Sequence, residues 1–252
     1  MRRHLSVLRS SVAILVVAIN VSVWAQDREA VFLAGKTIDC PGCNLTGVSL
    51  KRRNLAGADL SGANLEEASF HKANLRGANL SDTKLAYANL NRADLRFAKF
   101  QNADLTGAML FAANAAAADF SGAKLEHALM GRVRFTRAIF ENANLTRADL
   151  GEARMNDARL ANATLTGAYL HQATLFRADM RGIVADKTHF LYADMRRADL
   201  RGAILRSASL GWADLADSNL NGASLESANM IGTNLRNADL TGTRMPDNTV
   251  HP

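Results

Sequence analysis

From Cys40 to Met245 the chain returns to a bulky apolar residue at every fifth position. Of the 42 positions in that frame, 39 are Leu, Phe or Met, and the exceptions are Cys40, Ala115 and Ala185. A second set runs two residues ahead of the first. It holds Ala at 31 of 42 places, with Ser, Thr, Val, Ile, Cys or the single Arg53 elsewhere. The intervening positions are mostly Asn, Asp, Ser, Thr, Arg and Gly. A helix repeats every 3.6 residues and a strand every 2, so neither keeps a period of five on one face. An unbroken short repeat of this length predicts a solenoid. The Leu and the Ala point inward, one large and one small, and the small residue lets the backbone turn a corner without a void or a clash. Twelve of the 17 glycines stand two residues after the Leu, where a type II turn requires positive φ. Corners without glycine are expected to use another turn type. No proline lies between Pro41 and Pro246, as expected where most N–H groups pair with the next coil.

The units Ala58-Asp59-Leu60-Ser61-Gly62, Ala63-Asn64-Leu65 and Ala148-Asp149-Leu150 resemble the pentapeptide-repeat family, written A(D/N)LXX, over about residues 38–245. The resemblance implies an all-β fold, a right-handed quadrilateral β-helix of about ten coils in which residue n lies beneath n+20. On that stacking Phe100, Phe120 and Phe140 share one column. Phe120 and Phe135 adjoin Ala115, and Phe190 adjoins Ala185, so the rings are expected to fill the space the alanines leave.

The ends carry other signals. Arg2, Arg3 and Arg9 precede the apolar run Val12 to Val23, and Val23-Trp24-Ala25 stands before Gln26. Residues 1–25 therefore read as a signal peptide, exporting the chain to a bacterial periplasm or the exterior. An uncleaved anchor is the alternative, although the run is short for a span; general secretion and twin-arginine export stay open. Residues 26–37 form an N-terminal capping segment, with Asp27 to Ala34 as a short helix capped by Asp27 and ended at Gly35. This lid covers the bare edge of the first coil. The inward Arg53 is expected to reach a lid carbonyl or Asp39, because an unpaired buried charge is costly. Residues 246–252 are a short tail and a weak stop, leaving the last coil available for end-to-end contact.

Cys40 and Cys43 are the only cysteines. They occupy a Leu place and an Ala place around Pro41-Gly42, the preferred centre of a type II turn, so both point inward less than about 7 Å apart. A structural pair, bridged or free, is the preferred reading, and related chains of the family carry a similar C-x-G-C before their repeats. Two cysteines make half of a zinc site and no histidine is near in sequence. A thioredoxin-like centre needs a helix behind the first cysteine.

Charge and polar residues narrow the function. The chain carries +6, and loss of three arginines with the signal peptide leaves +3. No dense basic stripe suggests nucleic acid. The histidines are scattered; His171 and His189 fall diagonally on adjacent coils, where coincidence is favoured over a shared metal. No phosphate loop or nucleophile motif appears, so neither catalysis nor a cofactor is expected. Some cytoplasmic members of the family mimic DNA and inhibit or protect type II topoisomerases, an alternative disfavoured by the positive charge and the export signal. One face does stand out. The face built on Leu50, Leu110 and Leu210 carries Met109, Phe111, Leu129, Tyr169, Leu191, Tyr192, Trp212 and Ile231 outward, and begins basic with Lys51, Arg52, Lys72, Arg92 and Arg132. Contiguous exposed apolar surface marks an interaction site. The expectation is a secreted, non-enzymatic scaffold or protein-binding rod that uses this face for another protein or for self-association.

Overall fold

The computed structural model describes residues 28–252. The signal-peptide assignment of residues 1–25 and the Asp27 cap lie outside the described residues. A short helix, α1 (residues 28–33), comes first. Its end is closed by the Lys36 N–H donating to Val31 O and the Gly35 N–H to Phe32 O, with Gly35 at φ 73°. That is the paired-bond motif in which glycine takes the left-handed position.

A rod of pentapeptides follows. The residue before each Leu pairs in parallel with its counterpart 20 residues later, from Asn44–Asn64 to Ser224–Arg244. Four units thus complete one coil. The four faces are named here by their first inward residue: Leu45, Leu50, Leu55 and Leu60.

The unit Leu60 to Asn64 shows where every backbone N–H goes. Leu60 N donates to Asn79 O, Gly62 N to Ser81 O and Asn64 N to Cys43 O, all between coils, while Ala63 N closes the corner onto Leu60 O. The fifth amide, Ser61 N, is satisfied by a side chain, Asp59 Oδ1, at 3.1 Å. The same bond recurs as Thr106 N to Asp104, Ser121 N to Asp119 and Gly151 N to Asp149. The preference for Asn or Asp before the Leu therefore answers a backbone donor that the coil cannot otherwise satisfy.

The inward residues behave as the pattern predicts. Leu95, Leu105, Leu145 and Leu165 are fully buried, as are the alanines between them. Phe100, Phe120 and Phe140 stack with centroids 4.7 and 5.0 Å apart and planes within 5°. Phe135 meets Phe120 and Phe140 edge-on, at 5.7 and 4.9 Å, and occupies the space above Ala115. Where Thr or Ser replaces the small Ala, its hydroxyl donates to a carbonyl: Thr83 to Leu80, Thr188 to Leu165 and Ser218 to Leu215.

The turn expectation requires correction. Corners without glycine do not use another turn type. At all corners from Gly42 to Gly242 the residue two after the Leu has positive φ, between 54° and 60° for the non-glycine residues of the rod and between 62° and 72° for its glycines. The bonds on either side hold each corner in one shape, so Arg, Lys, Tyr, Phe and Trp are held in a region ordinarily left to glycine.

Both ends are partly covered. Phe32 of α1 is fully buried in the rod's core. Glu29 Oε1 accepts from Asn44 N at 2.7 Å and Asp39 Oδ1 from Asp59 N at 2.7 Å, so carboxylates stand in for the coil that would precede the first. The Arg53 guanidinium donates to Phe32 O and lies 4.4 Å over the Phe32 ring. Of its two expected partners, the carbonyl is the one it meets. At the far end the tail folds back, Val250 pairing antiparallel with Arg244 and His251 N donating to Thr243 O. The tail covers only the Leu45 side, and Met230, Leu235 and Leu240 stay partly exposed.

Candidate functional site

Between Gly42 and Met245 nine large apolar side chains are exposed among the described residues, and seven of them lie on the Leu50 face: Phe111, Leu129, Tyr169, Leu191, Tyr192, Trp212 and Ile231. Tyr87 and Phe97 are the two elsewhere. The eighth residue expected there, Met109, is only half-exposed. It lies in the bridging column between Asn89 and Leu129, whose side chains flank it.

Three sequence positions per unit build this face. In the column before the Leu, the usual Asn or Asp gives way to Met109, Leu129, Tyr169 and His189. Each replacement removes the acceptor that would satisfy the following corner amide. Tyr169 and His189 stack instead, with centroids 4.8 Å apart and planes 3° from parallel. In the corner columns, large side chains lie flat along the rod over glycines of adjacent coils. A Cβ on Gly131 would lie 3.5 Å from Phe111, one on Gly211 3.1 Å from Leu191 and one on Gly232 2.6 Å from Trp212. Gly151 faces the His171 ring, where a Cβ would come within 2.2 Å. Gly131 and Gly151 do not have positive φ; they supply room for the rings rather than backbone freedom.

Because Phe111 leans toward Gly131 and His171 leans back toward Gly151, a notch of about 310 Å³ opens between them, bounded also by Arg132, Asp149 and Glu152. Arg132 binds Glu152 through two bonds of 3.0 Å and lies 6.0 Å from the Phe111 ring. At the basic start of the face, His71 titrates below its ordinary value, from partial desolvation and then from Lys72, Arg92, Lys51 and Arg52. A second cleft, of about 610 Å³, lies across the corner toward the Leu55 face, lined by Ala112, Ala113, Asn114, Arg132, Arg134, Glu152 and Arg154. Sequence reasoning did not single out Gly131, Gly151, Arg134 or Arg154. The legible signal for the arginines was two consecutive departures from Asn or Asp in one column.

Cys40 and Cys43 are joined by a disulfide across the first corner, Cα atoms 5.5 Å apart and both residues buried. Among the described residues no group of three or more His, Cys, Asp or Glu is placed to hold a metal ion, and no helix is long and apolar enough to cross a membrane.

The family model of pentapeptide repeats matches the chain in overlapping segments running from residues 43–82 to residues 208–245. No curated protein sequence matches it. Among solved structures, HetL, a pentapeptide repeat protein involved in heterocyst differentiation regulation from the cyanobacterium Nostoc sp. strain PCC 7120, is 30% identical. That match covers 84% of this chain and 91% of HetL, with a TM-score of 0.59. A pentapeptide repeat protein of the Arabidopsis thaliana thylakoid lumen is 26% identical over 52% of this chain and 70% of its own, with a TM-score of 0.25. QnrB1, a plasmid-mediated fluoroquinolone resistance protein, is 17% identical over 77% of this chain and 89% of its own, with a TM-score of 0.29. On the repeat match and the HetL similarity, the chain belongs to the pentapeptide-repeat family.

Proposed function

We propose that the protein is an exported, non-enzymatic scaffold whose Leu50 face receives a protein partner. The observation that supports it is the concentration of seven of nine exposed large apolar side chains on one of four faces. On a rod with only Tyr87 and Phe97 as large exposed apolar side chains on its other faces between Gly42 and Met245, such a strip is the surface that association would cover. Trp212 and Tyr192 are 59% and 54% exposed and are the residue types that dominate binding energy at interfaces. The basic start of the face suits a partner that is apolar along its length and acidic at one end. Export rests on the basic start, apolar run and small-residue site of residues 1–25, and an oxidising compartment suits the Cys40–Cys43 bridge. The topoisomerase-protecting alternative calls for a strongly negative rod, whereas this chain carries +6, and +3 once residues 1–25 are removed.

Affinity capture from a periplasmic fraction tests the reading. The mature chain, beginning at Gln26, should retain a partner that Phe111→Glu, Tyr192→Glu and Trp212→Glu variants lose while keeping their circular dichroism spectra. Leu129→Asn sharpens the test. It restores the corner acceptor and should match or raise the melting temperature while weakening capture. Equal capture by wild type and all four variants refutes the proposal.

A further inference from the structure

We propose that the corner cleft walled by Arg132, Arg134 and Arg154 is a binding site for a small oxyanion, the carboxylate or phosphate group of a small molecule. The cleft adjoins the partner surface and shares Arg132 and Glu152 with it. Folding alone disfavours the placement of its other two arginines. Arg134 and Arg154 pair on neighbouring rungs of the Leu55 face, and like charges directly opposite one another are destabilising. In two other columns stacked carboxylates have an opposite charge between them. Arg196 lies 2.8 Å from Asp194 and 3.7 Å from Asp214, and Arg181 lies 2.6 Å from Asp179 and 3.8 Å from Asp199. Among the described residues no carboxylate lies within ion-pairing distance of Arg134 or Arg154. Glu152, the only acid lining the cleft, is held by the two guanidinium bonds of Arg132.

The two arginines also forfeit the corner bond that Asn114 makes one rung below, where its Oδ1 accepts from Ala116 N. They bring two costs and no internal partner. What they do create is a concave site. Ala112, Ala113 and Asn114 line it together with the Arg132–Glu152 column and the Arg134–Arg154 column, around about 610 Å³. That volume suits a small ligand. Forked guanidinium donors on adjacent rungs match the paired oxygens of a carboxylate or phosphate.

The fold itself suggests the variant for the test. Arg134→Asn/Arg154→Thr copies Asn114 and Thr174 from the same column, so the coil is preserved. Calorimetry and thermal melts are run with inorganic phosphate and with succinate, ionic strength held constant with chloride. Wild type should show saturable binding and a ligand-dependent rise in melting temperature. The double variant should bind at least about tenfold more weakly, yet melt no lower than wild type without ligand, because the like-charge rung is gone. Glu152→Gln, which releases Arg132, should bind more tightly, and Arg236→Asn should bind as wild type. Preference for succinate assigns carboxylate ligands, and preference for phosphate assigns phosphoryl ligands. Overlapping responses of wild type and double variant to both anions, or no saturation with either, overturn the proposal.

Discussion

Arg137 sits at a corner with φ 59°, and nothing in its side chain requires that conformation. The corner imposes it, because Arg137 N donates to Asn156 O and Ala138 N to Phe135 O. A non-glycine residue in this region costs about 1–2 kcal/mol, offset in part by the entropy that glycine loses on folding. Arg137→Gly should therefore stabilise the rod by about 0.5–1 kcal/mol. Gly62, at φ 65° with nothing within 4 Å of an added Cβ, has the opposite expectation. Gly62→Ala should cost about 1 kcal/mol for conformational reasons alone. Denaturant melts of the two variants check the pair, and equal stability of both would mean that the corners are not strained.

The coil succeeds as an element because a unit with Asn or Asp before its Leu satisfies all its own backbone donors. One donor turns the corner, three reach neighbouring coils, and the last is met by the Asn or Asp side chain. What remains to stabilise it is the buried Leu column. Leu105 and Leu165 have no exposed surface, so replacing either with Ala should cost about 2–5 kcal/mol. The loss should show as a lower melting temperature by circular dichroism. Phe135 over Ala115 shows how the coil tolerates irregularity: a large ring in one coil compensates for a small side chain in the next. A one-coil comparison of residue volumes would miss this, since the space belongs to two coils.

For the whole molecule, acid is the informative stress. Asp94, Asp179, Asp194 and Asp199 are held below the ordinary carboxylate value, chiefly by hydrogen bonds from the arginine two residues later. A folded-state value below the unfolded one contributes stability that is complete above the unfolded value and lost as pH falls through the folded one. The rod's melting temperature should thus be level from neutral pH down to about 4 and decline below it. Asp94→Asn/Asp199→Asn keeps the corner acceptors but removes two titrating groups, so its acid decline should be shallower. Melts at a series of pH values compare the two slopes, and parallel curves would remove these carboxylates as the cause.

The five-residue alternation by itself determined the solenoid, its inward Leu and Ala columns and the corner at Pro41-Gly42. These follow from local geometry, because which side of the chain a residue occupies depends only on its place in the unit. Only the tertiary structure decided that Arg, Tyr and Trp corners adopt the same left-handed turn as glycine corners, since bonds to the next coil override the preference of the single residue. It also decided that Asp59 and its equivalents serve a backbone amide, and that Met109 is partly covered. It placed Phe111 and His171 over two glycines and, separately, Arg134 and Arg154 on neighbouring rungs. Each of these depends on what lies 20 residues away in the chain yet one coil away in space, and a periodic sequence carries that information only once the number of units per coil is known.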